Sequence, residues 1–529
     1  MADLETPVLI VGGSLVGLST ALLLAHHGVP TITVEHHHGT AIYPRAAQIC
    51  QRAMEILRTV GIEQMAMEKS EEQFVQDGAV MAVETLAGKE LAWYISNLNE
   101  GVRDVSPTVR VFLSQKLLEP LLRARAVDLG AELRFGSDMV SFEEDSTGVT
   151  AQIRERDTDR TYSVRARYMV AADGSHSRVR DRLAIPMRGH GVLSNSITIY
   201  FRGNVGPLLR GRNLSVIYVS NSRLTGFFRI EKPFDSGFLA VNSVGPPDSP
   251  NTDVWTGLSD ERCQELMRES LGVDDVPLTI ENVMRWQATA DTADRFRHGR
   301  VFLAGDAAHV MPPTGGFGGN TGIHDAQNLA WKLALVLNGR AGPGLLDTYE
   351  AERRPIGELT VEQAYSRYVL RWAPYLGKEG IQPVQSDLDI DLGYRYRSAA
   401  VVSETEDDGR ILYPVRETKA NPGTRAPHIS LGANGGAVST LDWFGRDFVL
   451  LAGSEGQAWS AAGSAAGREL GIDLTVRKVT HTGFAEAYGI EPSGSVLVRP
   501  DGFVAWRART GQGASAESLV RVLTAILCR

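Results

Sequence analysis

The strongest constraint on the fold lies near the start of the chain. Val8-Leu9-Ile10-Val11 is an apolar run of strand length, followed by Gly12-Gly13-Ser14-Leu15-Val16-Gly17. A helical pattern then covers residues 18–27, and a second apolar run, Thr31-Ile32-Thr33-Val34, ends on Glu35. This is a βαβ unit with a dinucleotide fingerprint. Its glycines let the backbone close on a pyrophosphate at a helix start, and an acid roughly 20 residues further on takes ribose hydroxyls. Ser14 stands where the middle glycine belongs, and it is small enough to keep that approach open. An acid at Glu35 disfavours a 2′-phosphate, so FAD or NAD fits there and NADP does not.

Two more strand ends carry carboxylates. Arg167-Tyr168-Met169-Val170-Ala171-Ala172 runs into Asp173-Gly174, with Arg178 and Arg180 one turn on. Val301-Phe302-Leu303-Ala304 runs into Gly305-Asp306, then Pro312, Pro313, Gly315, Gly316, Gly318 and Gly319. Asn320 or Thr321 is read as the cap of a helix whose apolar positions are Ala326, Leu329, Ala330, Leu333 and Leu337. A carboxylate here can accept hydrogen bonds from sugar or ribityl hydroxyls. The glycines admit a flat ligand, and the free N–H groups of the helix start suit a group that becomes anionic, as reduced flavin does at N1/C2=O. Each corner alone also reads as an ordinary turn. Arg45, in a Pro-Arg-Ala loop, and Gln115, near a helix start, are within the vocabulary of phosphate and ring-edge contacts.

The rest of the chain bounds the answer. At 529 residues it holds two or three domains, and a net charge of -9 argues against nucleic acid as the main partner. No apolar run reaches membrane length, and Met1-Ala2-Asp3 does not resemble a signal peptide, so the cytoplasm is the expected compartment. Three scattered cysteines exclude a disulfide scaffold and a cysteine-rich metal site. His36, His37 and His38 read as a solvated turn, because consecutive side chains point apart. Residues 184–285 carry strand patterns (Ile197-Thr198-Ile199-Tyr200-Phe201 is one) that predict an antiparallel sheet closing over the nucleotide unit. Arg371 sits among aromatics at the end of a long helical region and could face a flat substrate. Residues 377–408 read as a linker. The tail reads strand, helix, strand, hairpin, helix, a thioredoxin-like order without CxxC, for which a structural or dimer-docking role is expected. The expected fold is therefore α/β, with a Rossmann-like FAD-binding domain (1–72, 103–183, 286–376). An inserted mixed or antiparallel β-sheet domain (73–102, 184–285) and a C-terminal thioredoxin-like domain (395–529) complete it.

The three corners together resemble the signature of single-component FAD-dependent aromatic hydroxylases, the para-hydroxybenzoate and phenol hydroxylase family. PRAA (44–47), TYEAERRP (348–355), LGYRYRSAAV (392–401) and LVRPDGFVAWR (497–507) extend the likeness to bacterial aromatic-polyketide hydroxylases of the anthracycline, angucycline and tetracenomycin type. The resemblance implies FAD as cofactor, with NADPH (or NADH) and O2 as co-substrates and a polycyclic phenolic polyketide hydroxylated through a flavin C4a-hydroperoxide. It implies FAD contacts from Gly12, Ser14, Leu15, Val16, Gly17, Glu35, His36, Arg45, Gln115, Asp173, Asp306, Pro313, Gly316, Gly318, Gly319 and Asn320. Arg371 is implied to line the substrate cavity. A single fingerprint leaves NADPH without a Rossmann domain of its own, so it must bind transiently at a cleft. Three alternatives share parts of this pattern. A Baeyer–Villiger or epoxidising relative shares every cofactor motif. A flavin-dependent halogenase would need WxWxIP, which Trp286-Gln287-Ala288 does not match. A non-catalytic FAD-bound protein that sequesters an intermediate is the third.

Overall fold

The computed structural model describes residues 2–43, 47–404, 408–432 and 438–529. Three sheets organise it. The first is built on the parallel strands Glu132–Phe135, Thr31–Glu35, Leu4–Val11, Thr161–Ala171 and Val301–Leu303, in that spatial order. Leu4–Val11 is central, and the chain passes first to one side of it and then to the other. That reversal is a topological switch point, where the carboxyl ends of neighbouring strands leave a crevice. Its central strands are buried on both faces over residues 8–11, 31–35, 168–171 and 301–303, as strands covered on both sides require.

The second sheet has eight strands. Met187–Arg202, Leu214–Ser220, Leu224–Glu231, Ser236–Val244 and Thr279–Ala293 form its antiparallel body. Ala79–Val83 joins in parallel beside Leu214–Ser220, and Glu90–Ile95 is the outer edge, so the sheet is mixed. Strand alternation separates its faces. Ile197, Ile199, Phe201, Leu239 and Val241 point to one side and bury against the helix Asp260–Leu271. Tyr200, Tyr218, Phe227, Phe238, Ala240 and Trp286 belong to the other side.

The third sheet, near the C-terminus, places Phe448–Ala452 between Leu474–Lys478, parallel to it, and Ser495–Val498, antiparallel, with Val504–Ala508 outermost. Helices Gln457–Leu470 and Ala516–Ile526 fall in the order expected for the tail. The span 377–408 is not the plain linker expected from its polarity. It contains the helix Asp387–Leu392, whose Asp391 pairs with buried Arg110 at 2.7 Å, while Asp387 pairs with buried Arg367 at 2.6 Å. Polar composition concealed the burial because the acids meet arginines from distant parts of the chain.

Candidate active site

Register brings the sequence corners together. Val11 pairs with both Val34 and Ala171, and Ala171 pairs with Leu303. The four strands therefore end level, and Gly12, Glu35, Asp173 and Gly305-Asp306 follow on one edge. Gly12 has φ +102°, and a Cβ there would run into the Ala172 carbonyl. At Gly17 a Cβ would collide with the Gly12 carbonyl. These glycines are thus required by the packing of the helix Leu15–His26 against two strands. Val16 is wedged against Gly305 and Gly322, which locks the first corner to the third. Leu15 is buried and Val16 half-buried, so toward a pyrophosphate they offer backbone N–H groups rather than side chains.

Ser14 is exposed and stands at the N-cap, yet its hydroxyl makes no capping bond. It donates instead to Glu119 Oε1 at 2.6 Å. Gln115 Nε2 donates to Ser14 Oγ at 2.7 Å and to the same Glu119 oxygen at 2.6 Å, and Glu119 Oε2 accepts from the Ala41 N–H at 2.7 Å. The replacement of glycine by serine therefore has a partner, and the first-turn N–H groups stay free for an anion. Glu35 Oε2 accepts from Gly13 N–H at 2.5 Å, and its other oxygen accepts from His37 N–H at 2.8 Å. His36 turns outward to Asp138 at 2.5 Å. The three histidines contact three different carboxylates, and no metal-holding cluster occurs among the described residues.

At the second corner, Asp173 Oδ2 accepts from Val179 N–H at 3.2 Å, while Oδ1 is buried without a partner. Burial pushes this carboxyl up from its ordinary value, with the hydrogen bonds of Ser177 and Val179 opposing. Arg180 donates to the carbonyls of Ser175 (2.9 Å) and Ala307 (3.2 Å), so it stitches the second corner to the third.

The third corner is held from beneath. Asp306 is exposed on a single turn after Gly305, whose φ is +62°. Asp325 Oδ2 accepts from Gly305 N–H (3.0 Å) and pairs with His309 Nε2 (2.7 Å), and Oδ1 accepts from Arg353 Nε (2.7 Å). Burial works against the Asp325 charge, but His309 and Arg353 overcome it and hold the carboxyl below its ordinary value. The helix Phe317–Leu337 starts earlier than its apolar spacing suggests. Gly316 at φ +67° is its N-cap, so Gly318, Gly319 and Asn320 are already helical. Asn320 is therefore not a cap. Its Oδ1 accepts from Cys50 N–H (2.9 Å) and its Nδ2 donates to Gln48 O (3.0 Å) and Gly316 O (2.8 Å). It ties the loop after residue 46 to the helix start. That first turn carries no acid, Pro313 is exposed, and Gly318 and Gly319 are partly open. Arg45 lies outside the described residues.

The second sheet turns an aromatic face to the loop that follows the strand Thr31–Glu35. Tyr43 packs on Tyr200 (4.7 Å between ring centroids), Phe227 on Phe238 (5.7 Å) and on Trp372 (5.1 Å), and Tyr218 on Trp372 (5.7 Å). The helix Asp347–Arg371 brings Tyr368 to this wall, where its hydroxyl meets Ser194 Oγ at 3.0 Å. Arg371, half-buried, lies over the Tyr94 ring at 5.0 Å.

A partly open, acid-free helix start beside level strand ends, on a chain whose second sheet carries an aromatic face, suits a flat, redox-active nucleotide cofactor. Comparison with known proteins gives the same answer. The family model described as FAD binding domain matches residues 5–364, and that described as aromatic-ring hydroxylase, C-terminal, matches residues 419–529. The chain belongs to the FAD-dependent aromatic-ring hydroxylases. It is 50% identical to 4-methyl-5-nitrocatechol 5-monooxygenase of a Burkholderia species, with 100% of this chain and 98% of that one covered. It is 37% identical to tetracenomycin A2 monooxygenase-dioxygenase of Streptomyces glaucescens, covering 100% and 98%. Aklavinone-11 hydroxylase, solved in a ternary complex with FAD and aklavinone, superposes with a TM-score of 0.92 at 36% identity, each chain fully covered.

The chain is an FAD-dependent aromatic monooxygenase, and among the described residues no helix is long and apolar enough to cross a membrane. The residues present fit FAD. Asp173 Oδ1, without a partner among the described residues, the uncapped N–H groups behind Ser14 and the acid-free turn after Gly316 are three demands of opposite polarity that FAD would meet. Sequence reasoning missed Glu119, Asp325 and Arg353. Asp325 left a trace as an acid in the helical run after Gly319, and Arg353 left one inside TYEAERRP (348–355).

Proposed function

We propose that this monooxygenase hydroxylates a small, acidic phenol, with a substituted nitrocatechol as first candidate, using NAD(P)H and O2. The observation that carries the reading is the aromatic, hydroxyl-bearing face of the second sheet, on a chain half identical along its whole length to a nitrocatechol monooxygenase. FAD, when bound, would supply the two-electron activation of O2. Gly12, Ser14, Leu15, Val16 and Gly17 would receive its pyrophosphate, with Gln115 acting through Ser14. Glu35 would face the adenosine ribose, with the His36 ring turned away to Asp138, Asp306 and Asp173 would face the ribityl and pyrophosphate region, and Pro313, Gly316, Gly318 and Gly319 the ring system. Asn320 would act through the loop it ties. The protein's remaining task is to orient the phenol ring and exclude water, which the buried rings of Phe238, Tyr200 and Trp372 suit. In this reading residues 1–72, 103–183 and 286–376 carry the cofactor, 73–102 and 184–285 cover the substrate, and 395–529 brace both. Arg371, over Tyr94 at the rim, would draw an anionic phenol toward the wall.

A second reading, a polycyclic aromatic polyketide of antibiotic biosynthesis, is favoured by the full-length match to aklavinone-11 hydroxylase. One experiment separates the two. The purified flavoprotein is supplied with NADPH or NADH and either 4-methyl-5-nitrocatechol or a tetracyclic phenol, with coenzyme oxidation, nitrite and product mass followed. The first reading expects fast oxidation and nitrite with the catechol, because oxygenation at a nitro-bearing carbon expels nitrite. Turnover of the tetracycle alone overturns it. A product with oxygen inserted beside a carbonyl would mark a Baeyer–Villiger enzyme, and no stimulation by any phenol a non-catalytic binder.

A further inference from the structure

One buried arginine of the second sheet makes no ion pair among the described residues. Arg229 lies on the strand Leu224–Glu231 and is 3% exposed. It stands two residues after Phe227, on the same face, and Phe227 packs on Trp372 and Phe238. Its guanidinium sits between two rings, 4.5 Å from the centre of Phe74 and 4.4 Å from that of Phe112. Gln76 pins the backbone of both rings. Its Oε1 accepts from Phe112 N–H at 2.8 Å, and its Nε2 donates to the carbonyls of Phe112 (3.0 Å) and Phe74 (3.2 Å). Burial disfavours the Arg229 charge, and Glu231 opposes. An apolar side chain would fill a slot between two phenyl rings at lower cost, because a buried charge without a counter-ion is expensive. What the cation gains is reach in two directions. Nη1 donates to the Ser215 carbonyl of its own sheet at 2.5 Å. Nη2 donates to the Ala47 carbonyl, in the loop before the helix Gln51–Thr59, at 3.2 Å.

Ala47 opens a short path to the helix start at Gly316. The next residue, Gln48, donates through Nε2 to the Gly315 carbonyl at 3.2 Å, and its own carbonyl accepts from Asn320 Nδ2 at 3.0 Å. Phe112, against the guanidinium, lies three residues before Gln115, which bonds Ser14 at 2.7 Å. We propose that Arg229 is a positioning residue that keys the second sheet to the Gly315-Gly316 turn through the Ala47 carbonyl and Gln48. The planar guanidinium holds two carbonyls in one fixed geometry, which an ammonium does not. The inference rests on the placement of the FAD ring system at that turn, where the free N–H groups of the helix start favour the anionic reduced form. By keeping the turn in place, Arg229 keeps those groups aimed at the ring, and its loss disfavours reduced FAD relative to oxidised.

The test combines amide hydrogen exchange with redox titration of the FAD-loaded enzyme. Arg229→Met keeps a long side chain and removes every donor, and Arg229→Lys keeps the charge and removes the fork. In both, peptides covering residues 47–54 and 315–322 are expected to exchange roughly tenfold faster. The helix Asp260–Leu271, on the other face of the sheet, is expected to exchange as in the wild type. The reduction potential of the bound FAD is expected to fall by about 30 mV, a tenfold shift for a two-electron couple. Unchanged exchange in the two peptides overturns the proposal. So does a rise spread evenly over the whole second sheet, which a plain loss of stability would give. Should Arg229→Met fail to fold, Arg229→Lys decides by the same measurements. Faster exchange confined to the two peptides, with an unmoved potential, overturns the placement of the ring system at the Gly316 turn and the cofactor role of Arg229 with it.

Discussion

Replacing Glu352 by glutamine should loosen the junction between the helices Phe317–Leu337 and Asp347–Arg371 and the C-terminal unit. Glu352 is fully buried and receives five donors. Arg499 binds both oxygens (2.6 and 2.9 Å), Lys332 (2.8 Å) and Asn328 (2.7 Å) bind Oε2, and Ser398 (2.6 Å) binds Oε1. Asp501 also binds Arg499, so the substitution strands about one positive charge in the interior. Breaking a buried pair from one side costs about 3–5 kcal/mol. Unfolding entropy near Tm is about 2.1 cal/mol/K per residue, or about 1.1 kcal/mol/K for 529 residues. A chain that melts as one unit should therefore lose about 3–5 °C in scanning calorimetry, and one whose C-terminal unit melts alone should lose several times more in that transition. The gap has a pH signature. Burial would raise the Glu352 carboxyl, but Arg499 and Lys332 hold it well below its ordinary 4.5. Its contribution is thus complete above pH 4.5 and drains away as pH falls toward the depressed value, where the wild type and Glu352→Gln should converge. A shift below 1 °C at pH 7, or a gap that widens in acid, would refute the reasoning.

Other outcomes follow from the same geometry. Gly12→Ala should yield protein that purifies without flavin, seen in its visible spectrum, because the added methyl meets the Ala172 carbonyl at a φ of +102°. Asp325→Asn should weaken FAD retention by at least tenfold, about 1.4 kcal/mol, read from flavin fluorescence on dilution, since it unpairs Arg353 and His309 beneath Gly305. Of the three cysteines only half-buried Cys528 should react with an aromatic disulfide reagent in the native protein. Cys50 and Cys263 are buried, and burial pushes the Cys50 thiol well up.

What the sequence made legible was local and periodic. Strand and helix patterns around Gly12, Asp173 and Gly305 identified the corners, because glycine beside an apolar run has few other uses. What it hid was partnership over distance. Glu119, Asp325 and Glu352 lie in helical stretches where an acid usually faces water, and nothing in their spacing shows that each meets donors far away in sequence. Asn320 misled for a related reason. Asparagine is a good cap, but Gly316 in the left-handed region had already started the helix, and the Asn320 amide was claimed by Cys50 and Gln48. Ser14 looked like a weakened glycine until Glu119 and Gln115 supplied its reason.

The buried ions also explain why a tail without CxxC is retained. Arg499 in its hairpin grips Glu352 of the long helix, and Arg425 grips Glu55 of the helix Gln51–Thr59 through both oxygens (2.5 and 2.9 Å). Arg353, three atoms' reach from the Gly305 turn through Asp325, donates to Tyr396 at 3.1 Å, whose ring faces Arg499 at 5.3 Å. Pairs of this kind add little net stability over apolar packing, but they tolerate almost no displacement, because a small shift leaves a charge unsolvated. The tail therefore contributes position more than energy. It fixes the helices Phe317–Leu337 and Asp347–Arg371, one capped at Gly316 and the other ending at Arg371 beside Trp372. The helix Phe317–Leu337 packs on the Gly305 corner and the helix Asp347–Arg371 reaches the aromatic face of the second sheet, and this web of buried charge holds the two in register.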